Sequence, residues 1–113
     1  MAAILLDIDG VFHVSGKPIA GAADAVSTLR ESCHRLRFVT NTTVRTRRVL
    51  TAELKGFGVD MHDEELQTTA AAAVRALRGR RVLALTMPSV VEDLDGLDLG
   101  LRRRHLEEVC AFG

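Results

Sequence analysis

The chain has 113 residues, of which 47% are hydrophobic and only 4% aromatic, and its 15 basic residues balance its 15 acidic ones. This length allows one small domain, and the zero net charge argues against a dedicated nucleic-acid or membrane-surface binder. Cys33 and Cys110 form no CxxC pair, which is typical of reduced cytoplasmic thiols. The N-terminus lacks a basic signal region, and no apolar stretch approaches membrane-spanning length, so we expect a cytoplasmic protein.

An apolar run from Ala3 to Leu6 leads into Asp7 and Asp9, and Gly10 follows. A short apolar run that ends at a turn signal is typical of a buried strand in a parallel sheet. The two carboxylates start out on one face, roughly 6–7 Å apart at the backbone. One Asp at a strand end is often only a turn former. Two such acids beyond a parallel strand are instead natural ligands for Mg²⁺.

The next two elements are a flap and a helix. Residues 10–20 contain the turn signal Gly16-Lys17-Pro18, which predicts a small extended flap or hairpin. We expect His13 and Lys17, which lie in this flap, to be solvated loop residues. Apolar side chains then recur at helical spacing and predict a helix from about Ala22 to Ser32.

A second strand is predicted over Leu36 to Thr40, and Asn41 follows it. Because strand–helix–strand crossovers are nearly always right-handed, the two strands are expected to be parallel. The next helix should run from about Arg45 to Lys55, with Thr42 or Thr43 as its N-cap.

Three arginines lie in the first turn of that helix, namely Arg45, Arg47 and Arg48. Positive charge is locally unfavourable at a helix N-terminus, where anions bind well. The sequence leaves two interpretations open: a solvated basic face, or contacts to an anion or substrate.

The remaining elements are weaker. We predict a polar link over Asp60–Glu65, a short strand over Leu66–Thr68 and a helix over Ala70–Arg78 capped by Thr69. The run Arg81–Thr86 predicts another strand.

Two C-terminal stretches have no predicted site. The acidic string Glu92–Asp98 lacks the spacing and the closing Glu of an EF-hand, so we expect no calcium site there. Residues 101–109 have the pattern of one last amphipathic helix with a solvated basic face.

Two motifs carry a resemblance to a known family. Leu5–Phe12, LLDIDGVF, resembles the first motif of the haloacid dehalogenase-like hydrolases, which are mostly Mg²⁺-dependent phosphatases. Phe38–Thr43, FVTNTT, resembles the second motif. The segment between them is similar to the subgroup with a large α/β cap. That subgroup includes nitrophenylphosphatase-like and phospholysine phosphohistidine inorganic pyrophosphate phosphatase-like proteins.

The resemblance implies an α/β fold. We expect a partial Rossmann-like parallel sheet with flanking helices and a flap after strand 1, truncated at the start of an α/β cap. The similarity is clear over about residues 4–79 and weaker to about Leu99. We therefore expect residues 1–79 to be the N-terminal part of the core and residues 80–113 to be the beginning of the cap and a divergent tail.

The resemblance also implies a role for each site residue. Asp7 matches the nucleophile, which forms an aspartyl-phosphate and is a Mg²⁺ ligand. Asp9 matches the general acid/base, with its backbone carbonyl as a second Mg²⁺ ligand. Gly10 would let the backbone approach the phosphoryl group. Thr40 matches the hydroxyl that binds a phosphoryl oxygen, and Asn41 is an orienting donor beside it.

The family pattern also needs a third-motif Lys and a fourth-motif acidic pair, which in the capped subgroup follow the cap. The only lysines are Lys17 and Lys55, and the acids Asp93, Asp95 and Asp98 follow no apolar strand run. The chain therefore resembles the N-terminal portion of a phosphatase for a small phosphorylated substrate, and we expect it to be incomplete or weakly active.

Two alternatives remain. The chain is a non-catalytic pseudophosphatase or protein-binding module if the absent motifs are decisive. Self-association through the incomplete sheet is then expected, because open sheet edges pair with other chains. A receiver-like phosphoacceptor is disfavoured, because both acids share one strand with DxDG spacing and no later Lys follows.

Overall fold

The structure, a computed structural model, describes residues 2–100, so the predicted helix over residues 101–109 lies outside it. The strands and helices are, in chain order, β1 (Ala3–Asp7), β2 (His13–Val14), β3 (Lys17–Pro18), α1 (Ala22–Glu31), β4 (Arg35–Val39), α2 (Arg47–Gly56), β5 (Leu66–Gln67) and α3 (Thr69–Leu77). Short 3-10 helices cover Asp63–Glu65 and Pro88–Leu94. Among residues 2–100, no helix combines the length and apolar character that a membrane span requires.

Strands β1, β4 and β5 form a parallel sheet in that order, with helices flanking it. The register pairs Asp7 with Val39 and Phe38 with Leu66. Strands β2 and β3 form a separate antiparallel hairpin directly after β1. The parallel α/β sheet and the flap are therefore confirmed.

The hydrophobic core lies on one face of the sheet. Alternate residues of β1 and β4 point into it, and α1 and α2 contribute their apolar sides. The most deeply buried side chains are Phe38, Ile8, Leu36, Leu54, Leu66 and Val26. Leu5 lies on the opposite face and is 73% exposed. The interpretation of the first apolar run as a fully buried strand was therefore wrong, because residues 2–100 cover only one face at that strand.

The three helices predicted within residues 2–100 are present, but two N-caps differ from the prediction. Thr46 caps α2, and its side chain accepts a hydrogen bond from the Val49 backbone N–H at 3.1 Å. Thr68 caps α3 by accepting from the Ala71 N–H at 3.1 Å. Thr69, the predicted cap, instead donates its hydroxyl to the Thr42 carbonyl at 2.7 Å.

The predicted strand over Arg81–Thr86 is absent. Arg81 forms only an isolated bridge with Asp98, and the Val82 N–H donates to the Asp98 carbonyl at 2.8 Å. Ala84 packs instead against a small second cluster built on Ala70, Val90 and Leu94. An apolar run becomes a strand only beside a partner, and the described residues offer none here beyond that single bridge.

Candidate active site

The sheet brings the two motifs together at one edge. Asp7 is the last residue of β1 and pairs with Val39, the last residue of β4. Thr40 follows Val39 directly, and neighbouring strands lie about 4.8 Å apart. Asp7 and Thr40 therefore lie on adjacent strand ends, where parallel sheets bind ligands.

Ile8 anchors the backbone between the two acids. Its side chain is buried in the core, whereas Asp7 and Asp9 on either side of it are exposed. The Ile8 N–H donates to Asp7 Oδ1 at 2.8 Å. Alternation thus places one hydrophobic anchor between two solvent-facing carboxylates.

A tight turn follows the acids. The N–H groups of Val11 and Phe12 both donate to the Ile8 carbonyl, at 3.2 and 3.0 Å. Gly10 has φ +80°, and a Cβ added there would meet nothing within 4 Å. The left-handed backbone, rather than crowding, is therefore what favours glycine at this position. The ring of Phe12 anchors the turn in the core, with its centroid 5.5 Å from that of Phe38.

Thr40 and Asn41 differ in their surroundings. Thr40 is buried, and its N–H donates to the Gln67 carbonyl at 3.1 Å. Its hydroxyl oxygen accepts a hydrogen bond from the Thr42 N–H at 3.3 Å. Asn41 is exposed. The backbone of β4 and β5 thus fixes Thr40, while Asn41 faces solvent.

His13 is a feature that the sequence prediction missed. Lys17 is exposed, as expected of a solvated flap residue, but His13 is only 8% exposed. Its Nε2 lies 3.0 Å from Asp9 Oδ1 and 3.9 Å from Glu53 Oε1. A strand of two residues is too short to show a hydrophobic period, so no sequence signal marked His13 as buried.

The three arginines before and within α2 all contact other parts of the chain. Arg45 forms an ion pair with Glu53. The Arg48 guanidinium bonds to Glu92 at 3.2 Å, and this hydrogen bond and charge raise the pKa of Arg48. The Arg47 guanidinium donates to the Asp63 carbonyl at 3.1 Å. These contacts favour a structural role for the arginines over a contact to an external anion.

A carboxylate of the same chain occupies the N-terminus of α2. The Arg47 backbone N–H donates to Asp93 Oδ2 at 2.7 Å. The acidic string that carries Asp93 thus caps a helix, and this contact satisfies one of the free N–H groups at the helix N-terminus.

The donor set at the end of β1 fits a hard divalent cation. The Asp7 carboxylate and the backbone carbonyl of Asp9 are oxygen donors at the exposed end of β1, and Mg²⁺ usually binds one or two protein carboxylates while keeping waters and substrate phosphates as its other ligands. Within residues 2–100 no group of three or more His, Cys, Asp or Glu side chains is arranged to hold a metal alone. The fit is therefore to an open site rather than to a closed cage.

Comparison with known proteins defines the class. The sequence profile of the haloacid dehalogenase-like hydrolases matches residues 4–100. The chain therefore belongs to the haloacid dehalogenase-like hydrolase family.

Particular relatives are phosphatases. The human phospholysine phosphohistidine inorganic pyrophosphate phosphatase is 35% identical over 101 residues, covering 84% of this chain and 37% of that protein. The p-nitrophenyl phosphatase from Archaeoglobus fulgidus superposes with a TM-score of 0.73 at 29% identity, covering 86% of this chain and 39% of that one. A glycerol phosphate phosphatase from Mycobacterium tuberculosis, solved in complex with calcium, has a TM-score of 0.71 at 26% identity, with coverages of 95% and 32%.

The chain thus spans about a third of the length of the curated relatives that it matches, 32% and 37% in two cases. The fold of the described residues is that of part of a haloacid dehalogenase-like domain.

Proposed function

We propose that this chain carries the nucleophile-bearing part of a Mg²⁺-dependent phosphatase that acts on a small phosphorylated substrate through an aspartyl-phosphate. One observation carries the proposal: the exposed acids Asp7 and Asp9 leave β1 next to the point where Thr40 leaves β4. The membership of the family and the phosphatase relatives support it.

The proposed chemistry has two steps. An Asp7 carboxylate oxygen attacks phosphorus, and the bond from phosphorus to the leaving oxygen breaks while Asp9 gives that oxygen a proton. Asp9 then takes a proton from a water molecule, which attacks phosphorus and releases phosphate and Asp7.

Three further residues bind the phosphoryl group in this proposal. Gly10 leaves the backbone open to it, the Thr40 hydroxyl donates to one of its oxygens, and Asn41 orients it from the solvent side. The Asp7 carboxylate and the Asp9 backbone carbonyl would hold Mg²⁺, which would neutralise part of the phosphate charge.

We further propose that residues 1–79 form the N-terminal part of the core and that residues 80–113 begin the cap and a divergent tail. Because the matched relatives are longer, the 113-residue chain should be incomplete or weakly active by itself. A cytoplasmic location agrees with Cys33, which is exposed and forms no disulfide among residues 2–100.

A second candidate is a non-catalytic, partner-binding role, with self-association through the sheet. Strand β1 lies at one side of the sheet order and has no partner on its outer edge among residues 2–100. Beside it, a depression of about 760 Å³ on the open face is lined by side chains that include Leu5, Val39 and Arg75. Such an edge pairs readily with another strand.

Phosphate release from an aryl phosphate tests the main proposal. The parent chain, Asp7→Asn and the matched control Asp95→Asn, which changes an exposed acid elsewhere, are assayed with and without Mg²⁺. Turnover that needs Mg²⁺, disappears in Asp7→Asn and persists in Asp95→Asn supports the proposal. Turnover that survives Asp7→Asn rules out the assigned nucleophile.

Sedimentation velocity separates the second candidate. If the edge strand β1 mediates self-association, Leu5→Lys, which places a charge on that strand, shifts the parent chain from oligomer to monomer without unfolding it. A parent chain that is monomeric at all concentrations contradicts this role.

A further inference from the structure

We infer that His13 is a positioning residue for Asp9: its Nε2–H engages Asp9 Oδ1 and leaves the other carboxylate oxygen for proton transfer to substrate. This inference rests on the proposed function, in which Asp9 is the general acid/base. It gives a role to a buried histidine that the proposed function does not include among the nucleophile, the phosphate-binding residues or the metal ligands.

The flap holds the His13 backbone close to Asp9. The Gly10 N–H donates to the His13 carbonyl at 2.9 Å, and Asp9 and His13 form a β-bridge. The Ile19 N–H donates to the Phe12 carbonyl at 2.8 Å and so holds the second arm of the flap against the first. The imidazole therefore projects from a backbone that is itself hydrogen-bonded to the turn carrying Asp9.

The ring has buried polar atoms that point to a partner. Neither nitrogen of His13 is aligned for a hydrogen bond among residues 2–100, although the side chain is only 9% exposed. A buried N–H without a partner is costly, and the nearest carboxylate is Asp9 Oδ1 at 3.0 Å from Nε2. That separation is already the length of a hydrogen bond, so a small rotation of the ring or the carboxylate would complete it.

Glu53 is the competing acceptor, but the geometry favours Asp9. Glu53 Oε1 lies 3.9 Å from the same Nε2, beyond hydrogen-bond length. Arg45 forms an ion pair with Glu53 and so satisfies that carboxylate from the other side. The Nε2 proton is therefore left for Asp9.

Asp9 needs such a contact because its side chain is 63% exposed. A solvated carboxylate samples several rotamers, and a general acid must lie within hydrogen-bond reach of the leaving oxygen. Loss of His13 should therefore lower kcat, where orientation matters, and leave KM nearly unchanged.

Kinetics on the 113-residue chain test the inference through two variants. His13→Ala removes the donor, and His13→Gln keeps an N–H donor on a side chain of similar reach. We expect His13→Ala to lower kcat about 10-fold to 100-fold, with little change in KM. This loss is smaller than the full contribution of general acid–base catalysis, because Asp9 itself is still present. His13→Gln should recover part of the loss. The control His34→Gln changes a histidine whose Nδ1 accepts from the Ala2 N–H, away from the acids, and should leave kcat unchanged.

A second readout does not depend on turnover. The side-chain ¹⁵N and ¹H resonances of His13 are assigned by their absence in His13→Gln and then followed in Asp9→Asn. We expect the Nε2–H resonance to shift in Asp9→Asn and to stay in place in Asp24→Asn, which alters an exposed acid in α1.

The two readouts separate the failure of this inference from the failure of the proposed function. If the chemical shift of the His13 Nε2–H resonance is the same in Asp9→Asn as in the parent chain, the positioning role is overturned even if the chain is active. Equal kcat losses in His13→Ala and His13→Gln, or a loss expressed in KM alone, overturn it as well. A parent chain without turnover is what an incomplete site would give, and the resonance shift then decides the inference alone: a shift in Asp9→Asn supports the His13–Asp9 contact, and its absence overturns it.

Discussion

The two faces of the sheet have opposite surroundings although they share the same strands. On the covered face, Leu36 and Phe38 are almost fully buried beneath α1 and α2. On the open face, Leu5 is 73% exposed and lies in a depression with Arg37. Consecutive residues of one strand thus contribute very differently to stability.

This difference shows where the free energy of folding of the described residues arises. Burial of a Leu or Phe side chain contributes about 1.5–3 kcal/mol, whereas a side chain that stays in water contributes little. The acids of the site follow the same alternation, because Ile8 points into the core between Asp7 and Asp9. The covered face therefore stabilises the strand whose end presents the site.

The largest expected effect comes from the same substitution on both faces. Leu36→Ala removes a side chain that is 1% exposed and should lower the free energy of unfolding by about 2–5 kcal/mol. Leu5→Ala removes the same atoms from the open face and should change it by less than about 0.5 kcal/mol. Urea unfolding followed by circular dichroism measures both.

Equal losses in the two variants would contradict this asymmetry. They would indicate that the open face is covered in solution, for example by a second copy of the chain. Repeating the Leu5→Ala measurement over a range of protein concentrations distinguishes that case, because stability gained from association rises with concentration.

A smaller effect is expected for the charged pair that ties α1 to the start of β5. Glu65 is only 8% exposed, and its carboxylate accepts from Arg30 Nη1 at 3.0 Å and from the His62 N–H at 2.7 Å. Glu65→Gln should lower the free energy of unfolding by about 1–3 kcal/mol, because hydrogen bonds to a charged group are lost. The exposed neighbour gives the matched control, Glu64→Gln, which should have no measurable effect.

The pH dependence of this pair has a definite sign. Burial alone would raise the pKa of Glu65, but the hydrogen bonds from Arg30 and the His62 N–H outweigh it, and the pKa is lowered from the ordinary value of 4.5. A lowered pKa in the folded state stabilises the fold above the unfolded-state pKa, and that stabilisation is lost as the pH falls through the folded-state value. The difference between the parent chain and Glu65→Gln should therefore shrink as the pH falls below the ordinary value of 4.5. A difference that grows on acidification would contradict the assigned charge state.

The sequence predicted those parts of the fold that depend on local signals. The apolar runs of β1 and β4 and the helical periods of α1 and α2 depend on nearby residues, and the structure confirms these elements. The predicted strand Arg81–Thr86 failed because a strand also needs a neighbour, which no local pattern supplies. The exposure of Leu5 could not be predicted for the same reason, since burial of a strand face depends on distant elements.

The candidate site divides in the same way. The spacing of Asp7, Asp9 and Gly10 and the place of Thr40 after an apolar strand are visible in the sequence, and the register brings Asp7 and Thr40 to adjacent strand ends. The burial of His13 could not be predicted from the sequence, because it depends on how the flap packs near α2. Glu53 in that helix lies 40 residues after His13 in the chain.

The smallest effect concerns the contact between Asp93 and the N-terminus of α2. Asp93→Asn keeps the shape of the side chain but removes the negative charge that accepts the Arg47 N–H at 2.7 Å. The interaction of a charge with a helix dipole is modest, so we expect a loss of about 0.3–1 kcal/mol that diminishes with added salt. The control Asp95→Asn should leave the unfolding midpoint unchanged.

A loss in Asp93→Asn that is insensitive to salt would indicate that hydrogen-bond geometry, rather than charge, joins residues 88–94 to the helix. Burial should thus set the energetic contribution of charged groups as it does that of apolar side chains. The partly exposed Asp93 should contribute less to the free energy of unfolding than the buried carboxylate of Glu65.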